Sequence, residues 1–254
     1  MPTLYAGDCD LSKVRFGPFT NTNNRQSVEV YLDGCGNKNK LRVSLACDTD
    51  EPLEAKFPLD RVQDDGNPDR RGQSVLIKEP RCIKSLEDLD NAIIKEAVVR
   101  SKEWFKKALT EEEVRARYQA QANKETDDGG REAVITKCKV KCGNSQYPTA
   151  LHLREGINGP IRKKGGRVEH LEQWGNLLVP IVSAHALWFM AGGSRFGISF
   201  QIEEMIVTLG DTESGLPQFP SRNKLTVIDG EEKETGRAEA GAEGASAVVL
   251  EGAE

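Results

Sequence analysis

A chain of 254 residues with 37% apolar, 30% charged and 6% aromatic residues has the material for one large domain or two small ones. No run of about 18 apolar residues occurs, which argues against a membrane-spanning helix, and the opening Met1-Pro2-Thr3-Leu4-Tyr5 lacks the basic-then-apolar pattern of a secretion signal. The net charge of −5 is concentrated in residues 230–254, where seven Glu face only Lys233 and Arg237, so the remainder is neutral.

The first 80 residues read as strands and turns. Val14, Phe16 and Phe19 suggest an opening strand. Val28, Val30 and Leu32 alternate with polar neighbours, Asp33-Gly34-Cys35-Gly36-Asn37 marks a turn, and Leu41, Val43 and Leu45 alternate again. That is a hairpin pattern with one buried face. Residues 63–72 form a polar loop, and Gln73 to Ile77 resumes an extended pattern.

A helical insert follows at about 85–122. Ser85-Leu86-Glu87-Asp88 resembles a capping box, and Leu86, Leu89, Ile93, Ala97 and Val98 recur at helical spacing as far as Trp104-Phe105-Lys106-Lys107. Thr110-Glu111-Glu112-Glu113 is a second capping box, with Val114 and Tyr118 behind it, and 123–131 breaks the pattern as a loop.

Strands return beyond it. Val134, Thr136, Cys138, Val140 and Cys142 share one face of an extended segment, and Ile135, Lys137, Lys139 and Lys141 share the other. Tyr147 to Leu153 reads as a strand, followed by a basic, Gly-rich loop over 156–166, and Leu177 to Phe189 is apolar and extended. Ile198, Phe200 and Ile202 alternate in one parity and Met205, Val207 and Leu209 in the other, so a β-bulge is expected at Glu203-Glu204. The fold expected is mainly β with a helical insert, an OB-like β-barrel over 1–229. The Gly-, Ala- and Glu-rich stretch 230–254 is expected to be a disordered acidic tail.

Enzymatic signals are weak. No phosphate-binding loop, zinc-protease motif or nucleophile elbow is present. The six cysteines are scattered and the three histidines isolated, so neither a metal nor another cofactor is expected, and the thiols read as reduced. Glu203 and Glu204 are adjacent, and neighbours on a strand diverge unless the bulge redirects one.

Nucleic-acid binding fits better. Lys137, Lys139 and Lys141 project from one strand face at intervals of about 6–7 Å, close to the phosphate repeat of an extended single strand. Alternating lysines also simply keep an exposed strand soluble. Arg162, Lys163, Lys164 and Arg167 add a basic loop, and the aromatic candidates for stacking bases are Trp104, Phe105, Tyr147, Trp174, Trp188, Phe189 and Phe196. The expected binding set joins the lysines and the basic loop to Trp104, Tyr147, Trp188, Phe189, Arg195 and Phe196.

Three stretches carry a family resemblance: Leu89-Asp90-Asn91-Ala92-Ile93-Ile94 through Trp104-Phe105-Lys106-Lys107 and Val114; Tyr147-Pro148 with the strand after it; and Ala186-Leu187-Trp188-Phe189 followed by Arg195-Phe196-Gly197-Ile198-Ser199-Phe200-Gln201-Ile202. Together they resemble single-stranded-DNA-binding proteins of large DNA viruses of algae and protists, which are similar to phage proteins with an OB-type barrel. The resemblance implies a non-enzymatic protein that binds single-stranded DNA with little sequence preference in viral replication, recombination or repair. It also implies an acidic tail that recruits replication proteins and competes with DNA. It further implies an intracellular location at the site of viral replication, in host nucleus or cytoplasm, with packaging in the virion left open along with the oligomeric state. The tail here ends Val248-Val249-Leu250-Glu251-Gly252-Ala253-Glu254, without the large terminal aromatic usual in such tails, and residues 1–80 match no motif. The alternative is a virion structural or assembly protein that uses the barrel for protein contacts.

Overall fold

Residues 4–22, 25–33, 40–48, 51–60, 69–127, 129–142, 147–156, 159–184 and 186–209 are described in a computed structural model of the protein. The turn expected at 33–37 and the tail expected at 230–254 fall wholly or largely outside them.

Five strands close on themselves. Strand β4 (Leu53–Ala55) pairs with β5 (Arg70–Ile77), β5 with β8 (Glu132–Lys141), and β8 runs parallel to β14 (Phe200–Leu209). Strand β14 pairs antiparallel with β11 (Leu177–Ala184), and β11 returns to β4 through Leu177 opposite Glu54 and Leu178 opposite Leu53. This circuit is a five-stranded OB-type barrel, as the alternation pattern led us to expect. Its inward residues include Val75, Ile77, Val134, Cys138, Val140, Phe200, Ile202 and Met205, all fully buried. The parity change in β14 has the expected cause: Ile181 faces Glu204 while Val182 faces Ile202, leaving Glu203 bulged.

The hairpin reading of residues 28–45 is corrected. Strands β2 (Arg25–Tyr31) and β3 (Leu41–Ser44) form where expected but take other partners. Strand β3 extends the barrel on β11, while β2 pairs with β1 (Arg15–Thr22) and with β12 (Ala186–Phe189). A bridge between Tyr31 and Lys40 is their described ladder contact. Alternation fixes which face of a strand is buried; it does not choose the neighbour. With β13 (Phe196–Ile198) and β6 (Tyr118–Gln119), these strands make a second sheet in the order β1-β2-β12-β13-β6.

The insert begins earlier than expected. Helix α1 spans Pro80–Val99 because Pro80 occupies its first turn, where a missing N–H costs nothing. Ser85 is therefore inside the helix, and its hydroxyl donates to the Cys9 carbonyl rather than capping. Leu86, Leu89, Ile93 and Ala97 are fully buried. Asp90 shares that stripe, and its carboxylate accepts from the Tyr118 hydroxyl at 2.6 Å and from the Gln121 and Ala122 amides at 3.0 Å. Burial pushes its carboxyl above the ordinary range, and these hydrogen bonds oppose the push. After α2 (Ser101–Phe105), helix α3 (Glu111–Arg115) starts at the Thr110 capping box, whose two reciprocal bonds measure 2.8 and 3.2 Å. The loop expected over 123–131 is half strand: β7 (Asn123–Thr126) pairs with β8, and only then does Asp127 turn the chain by accepting the Gly129 and Arg131 amides.

Candidate nucleic-acid interface

Strand register places the predicted lysines on the outer face of the barrel. Lys141 stands opposite Arg70, Lys139 opposite Gly72 and Lys137 opposite Ser74, and Gln201 of β14 lies beside Lys139. Arg70, Lys137 and Lys139 are exposed and Lys141 is half-buried. Lys137 reaches Asp60 at 2.5 Å, across Gly72, where any Cβ would collide with both side chains. No ion pair joins Arg70, Lys139 or Lys141 to a described carboxylate. Desolvation of the ammonium by the side chains around it, and then the neighbouring Arg70, lower the Lys139 pKa below the usual lysine value. Arg70 is thus a fourth cation of this face that alternation within one strand could not reveal.

The basic loop lies farther along the same edge of β14. Strand β14 accepts β8 at Phe200–Ile202 and β9 (Ala150–Glu155) at Glu204–Leu209. The loop beyond β10 (Ile161–Arg162) folds flat onto β9, with the Gly166 amide on the Leu151 carbonyl at 3.1 Å. A Cβ at Gly166 would come within 2.7 Å of Leu151, so the residue is glycine. The Lys164 amide donates to His152 Nδ1 at 2.9 Å, which leaves the proton on Nε2, 2.8 Å from Glu204. Arg162 pairs with Glu155 at 3.1 Å, while Lys163, Lys164 and Arg167 are exposed. Gln201 and Ile206 are five residues apart, so the lysine row and the loop are separated by about 17 Å of strand. Glu203 and Glu204 lie between them, and the bulge brings both to Arg42.

The aromatic set needs correction. Trp104 is 1% exposed and Phe196 fully buried; Trp104 packs edge-on with Phe16, Phe105, Phe189 and Phe196, and Phe105 edge-on with Phe196, where α2 meets the second sheet. Phe189 is half-buried and stacks on Phe196 at 5.6 Å and 10°. Trp104, Phe105 and Phe196 offer no free face to a base, because a large apolar side chain on a packed element goes to the core first. Trp188 points away from that cluster, half-buried over Gly197 on the second sheet rather than beside the lysines. Arg195 is exposed at the β12–β13 connection.

Tyr147, 70% exposed, sits in the connection between β8 and β9, between the lysine row and the basic loop. Phe57 and Trp174 are 49% and 45% exposed, with rings 6.3 Å apart at 76°. Trp174 walls a recess of about 490 Å³ with Pro58, Leu59, Asp60, Arg71 and Glu172. Asp60 also holds Lys137, so this recess adjoins the lysine row. Phe57 was not among the sequence candidates: it shares the alternation of Leu53, Ala55 and Leu59 as a core residue would, and only its exposure and its meeting with Trp174 give it a role.

The five described cysteines are unbridged, and burial pushes the Cys138 thiol up to about 12. Cys47 and Cys82 approach to 2.8 Å between sulfurs. Among the described residues no group of three or more His, Cys, Asp or Glu side chains could hold a metal.

No family model and no curated protein sequence matches the chain. Solved structures similar to this chain at low identity include the following three. The gp2.5 single-stranded-DNA-binding protein of bacteriophage T7 is 14% identical, over 70% of this chain and 96% of its own, with a TM-score of 0.42. The single-stranded-DNA-binding protein of bacteriophage Enc34, as a C-terminal truncation, is 9% identical over 78% and 95%, with a TM-score of 0.33. The same phage protein in complex with single-stranded DNA is 11% identical over 78% and 97%, with a TM-score of 0.32.

Proposed function

We propose that this chain binds single-stranded DNA, with little sequence preference, along the outer face of β5 and β8, as a passive non-enzymatic protein of viral DNA replication, recombination or repair. The observation that carries the reading is the gathering of Arg70, Lys139 and Lys141 on one barrel face with no described carboxylate paired to them. That face joins the second and third strands of the barrel, the surface with which OB-type barrels hold oligonucleotides. A neutral body binds phosphate when its cations are collected in this way.

Lys137 joins the set when an incoming phosphate displaces Asp60. Trp174, Phe57 and Tyr147 supply ring faces at about 1–3 kcal/mol per stacked base. The basic loop with Lys163, Lys164 and Arg167 continues the path. The acidic stretch 230–254 competes for the same cations when DNA is absent and contacts replication proteins when DNA displaces it. A location at the site of viral DNA replication completes the reading.

Tryptophan fluorescence titrated with oligo-dT at several salt concentrations tests it. Trp104 is buried, so quenching reports Trp174 and Trp188. Saturable quenching is expected, with log affinity falling against log salt by about 4 for the three cations of the barrel face and the three of the basic loop. Absence of binding at low salt, or binding that Lys139→Glu with Lys141→Glu leaves intact, refutes the proposal.

A further inference from the structure

On the outer face of β14, beyond the bulge, lies a cavity of about 210 Å³ that the lysine row does not use. Val179, Ile181 and Ile206 form its apolar floor, Tyr5 and Ser44 close one end, and His152, Glu204, Ile161 and Lys163 the other. Liquid water occupies about 30 Å³ per molecule, so the space equals roughly seven waters, suited to one heterocyclic ring system and not to a whole nucleotide. Ser44 is fully buried and lines this cavity, yet its hydroxyl has no hydrogen-bond partner. An orphaned hydroxyl costs on the order of the bond it lacks, and a ligand that moves the cavity wall by a small amount can supply the partner.

We infer that this cavity receives one unstacked nucleobase, with Ser44 and Glu204 reading its polar edge and Lys163 holding the adjoining phosphate. The inference rests on the single-stranded-DNA reading for the source of that base. His152 donates to Glu204 at 2.8 Å and Arg42 lies 3.5 Å from it, and together they fix the position of the Glu204 carboxyl at the wall of the cavity. His152 is itself oriented by the Lys164 amide, so the basic loop and the wall of the cavity form one unit. Register supplies the path. Lys139 lies beside Gln201 and the cavity begins at Glu204, three residues or about 10 Å along β14. A strand laid on Lys139 and Lys141 therefore reaches the cavity within two nucleotides. Every base can fill an apolar slot, so the site anchors the strand and gives only a modest preference among bases.

The test uses the full chain, short oligonucleotides carrying one abasic position at a time, and a separate titration with dCMP. One abasic position is expected to weaken binding about fivefold or more, the loss of a single stacked base. Ser44→Ala is expected to raise thermal stability and to weaken binding of the intact oligonucleotide about two- to tenfold, with no further loss on the abasic one. Ile206→Phe, which fills the cavity, is expected to abolish the abasic effect. If both variants bind intact and abasic strands as the parent does, while Lys139→Glu with Lys141→Glu loses binding, the nucleobase site is wrong and the lysine face stands. If no oligonucleotide binds, the single-stranded-DNA reading is wrong, and methyl NMR with dCMP decides the cavity alone. Shifts at Val179, Ile181 and Ile206 then make it a free-nucleotide site, and their absence overturns it.

Discussion

Lys139 stands opposite Gly72 with Gln201 at its other side and Arg70 close by, and no described carboxylate pairs with it. Partial desolvation and a like charge both disfavour its ammonium. Between the lowered and the ordinary lysine pKa the unfolded chain thus holds more protons, and the folded state gains stability as pH rises through that window. A phosphate reverses the balance and draws the proton back. DNA affinity is therefore expected to fall as pH is raised from about 7 to 10, and Lys139→Arg, which keeps its charge, to flatten the fall. Equal pH profiles for the two proteins would remove Lys139 from the site. Asp60 is its counterpoint, since it holds Lys137. Asp60→Asn frees a fourth cation, so affinity at low salt should rise and the salt slope steepen by about 0.7. An unchanged slope means that Lys137 contacts no phosphate.

At the scale of elements, the parts of the sequence governed by a two-residue period were legible. Lys137, Lys139 and Lys141 fall on the outer face because Cys138 and Val140 are fully buried on the other, and the bulge at Glu203 was visible as a change of parity. The Thr110 cap was legible because both of its partners lie within four residues. Ser85 misled because the same pattern occurs inside a helix that Pro80 had already started. Partner choice and aromatic placement depend on distant contacts: β3 joins β11 across more than 130 residues, and Trp104 meets Phe189 and Phe196 from another element. Paired variants separate the two kinds of ring. Phe196→Ala opens a cavity in the aromatic cluster and should cost about 3–5 kcal/mol in urea unfolding, with DNA affinity of the folded protein unchanged. Trp174→Ala should leave unfolding within about 1 kcal/mol and remove most of the quenching along with roughly fivefold or more of the affinity. The opposite pattern would return Phe196 to the binding set.

At the scale of the whole molecule, the distribution of charge matters more than its sum. The net charge of −5 would repel a polyanion if it were spread evenly, but residues 230–254 carry all of it and the other 229 residues are balanced. Within that balanced body many cations are paired locally, as Arg42 is with Glu203 and Arg100 with Glu103, whereas Arg70, Lys139 and Lys141 stand together at the barrel face with no described carboxylate paired to them. Under the proposed function, an acidic stretch joined to the same chain would meet those cations at an effective concentration set by its tether, and so would compete with phosphate at any protein dilution. The competition is electrostatic and weakens as salt shortens the screening length to below about 8 Å. Removing residues 230–254 should therefore tighten DNA binding several-fold near 50 mM salt, with the gain shrinking as salt rises and the salt slope becoming steeper. Adding the severed 230–254 peptide back in trans should restore little, because the tether and not the sequence supplies the concentration. A truncated chain with the parent's affinity at every salt concentration would show that the acidic stretch does not act on this face, and its role would then lie wholly in contacts with other proteins.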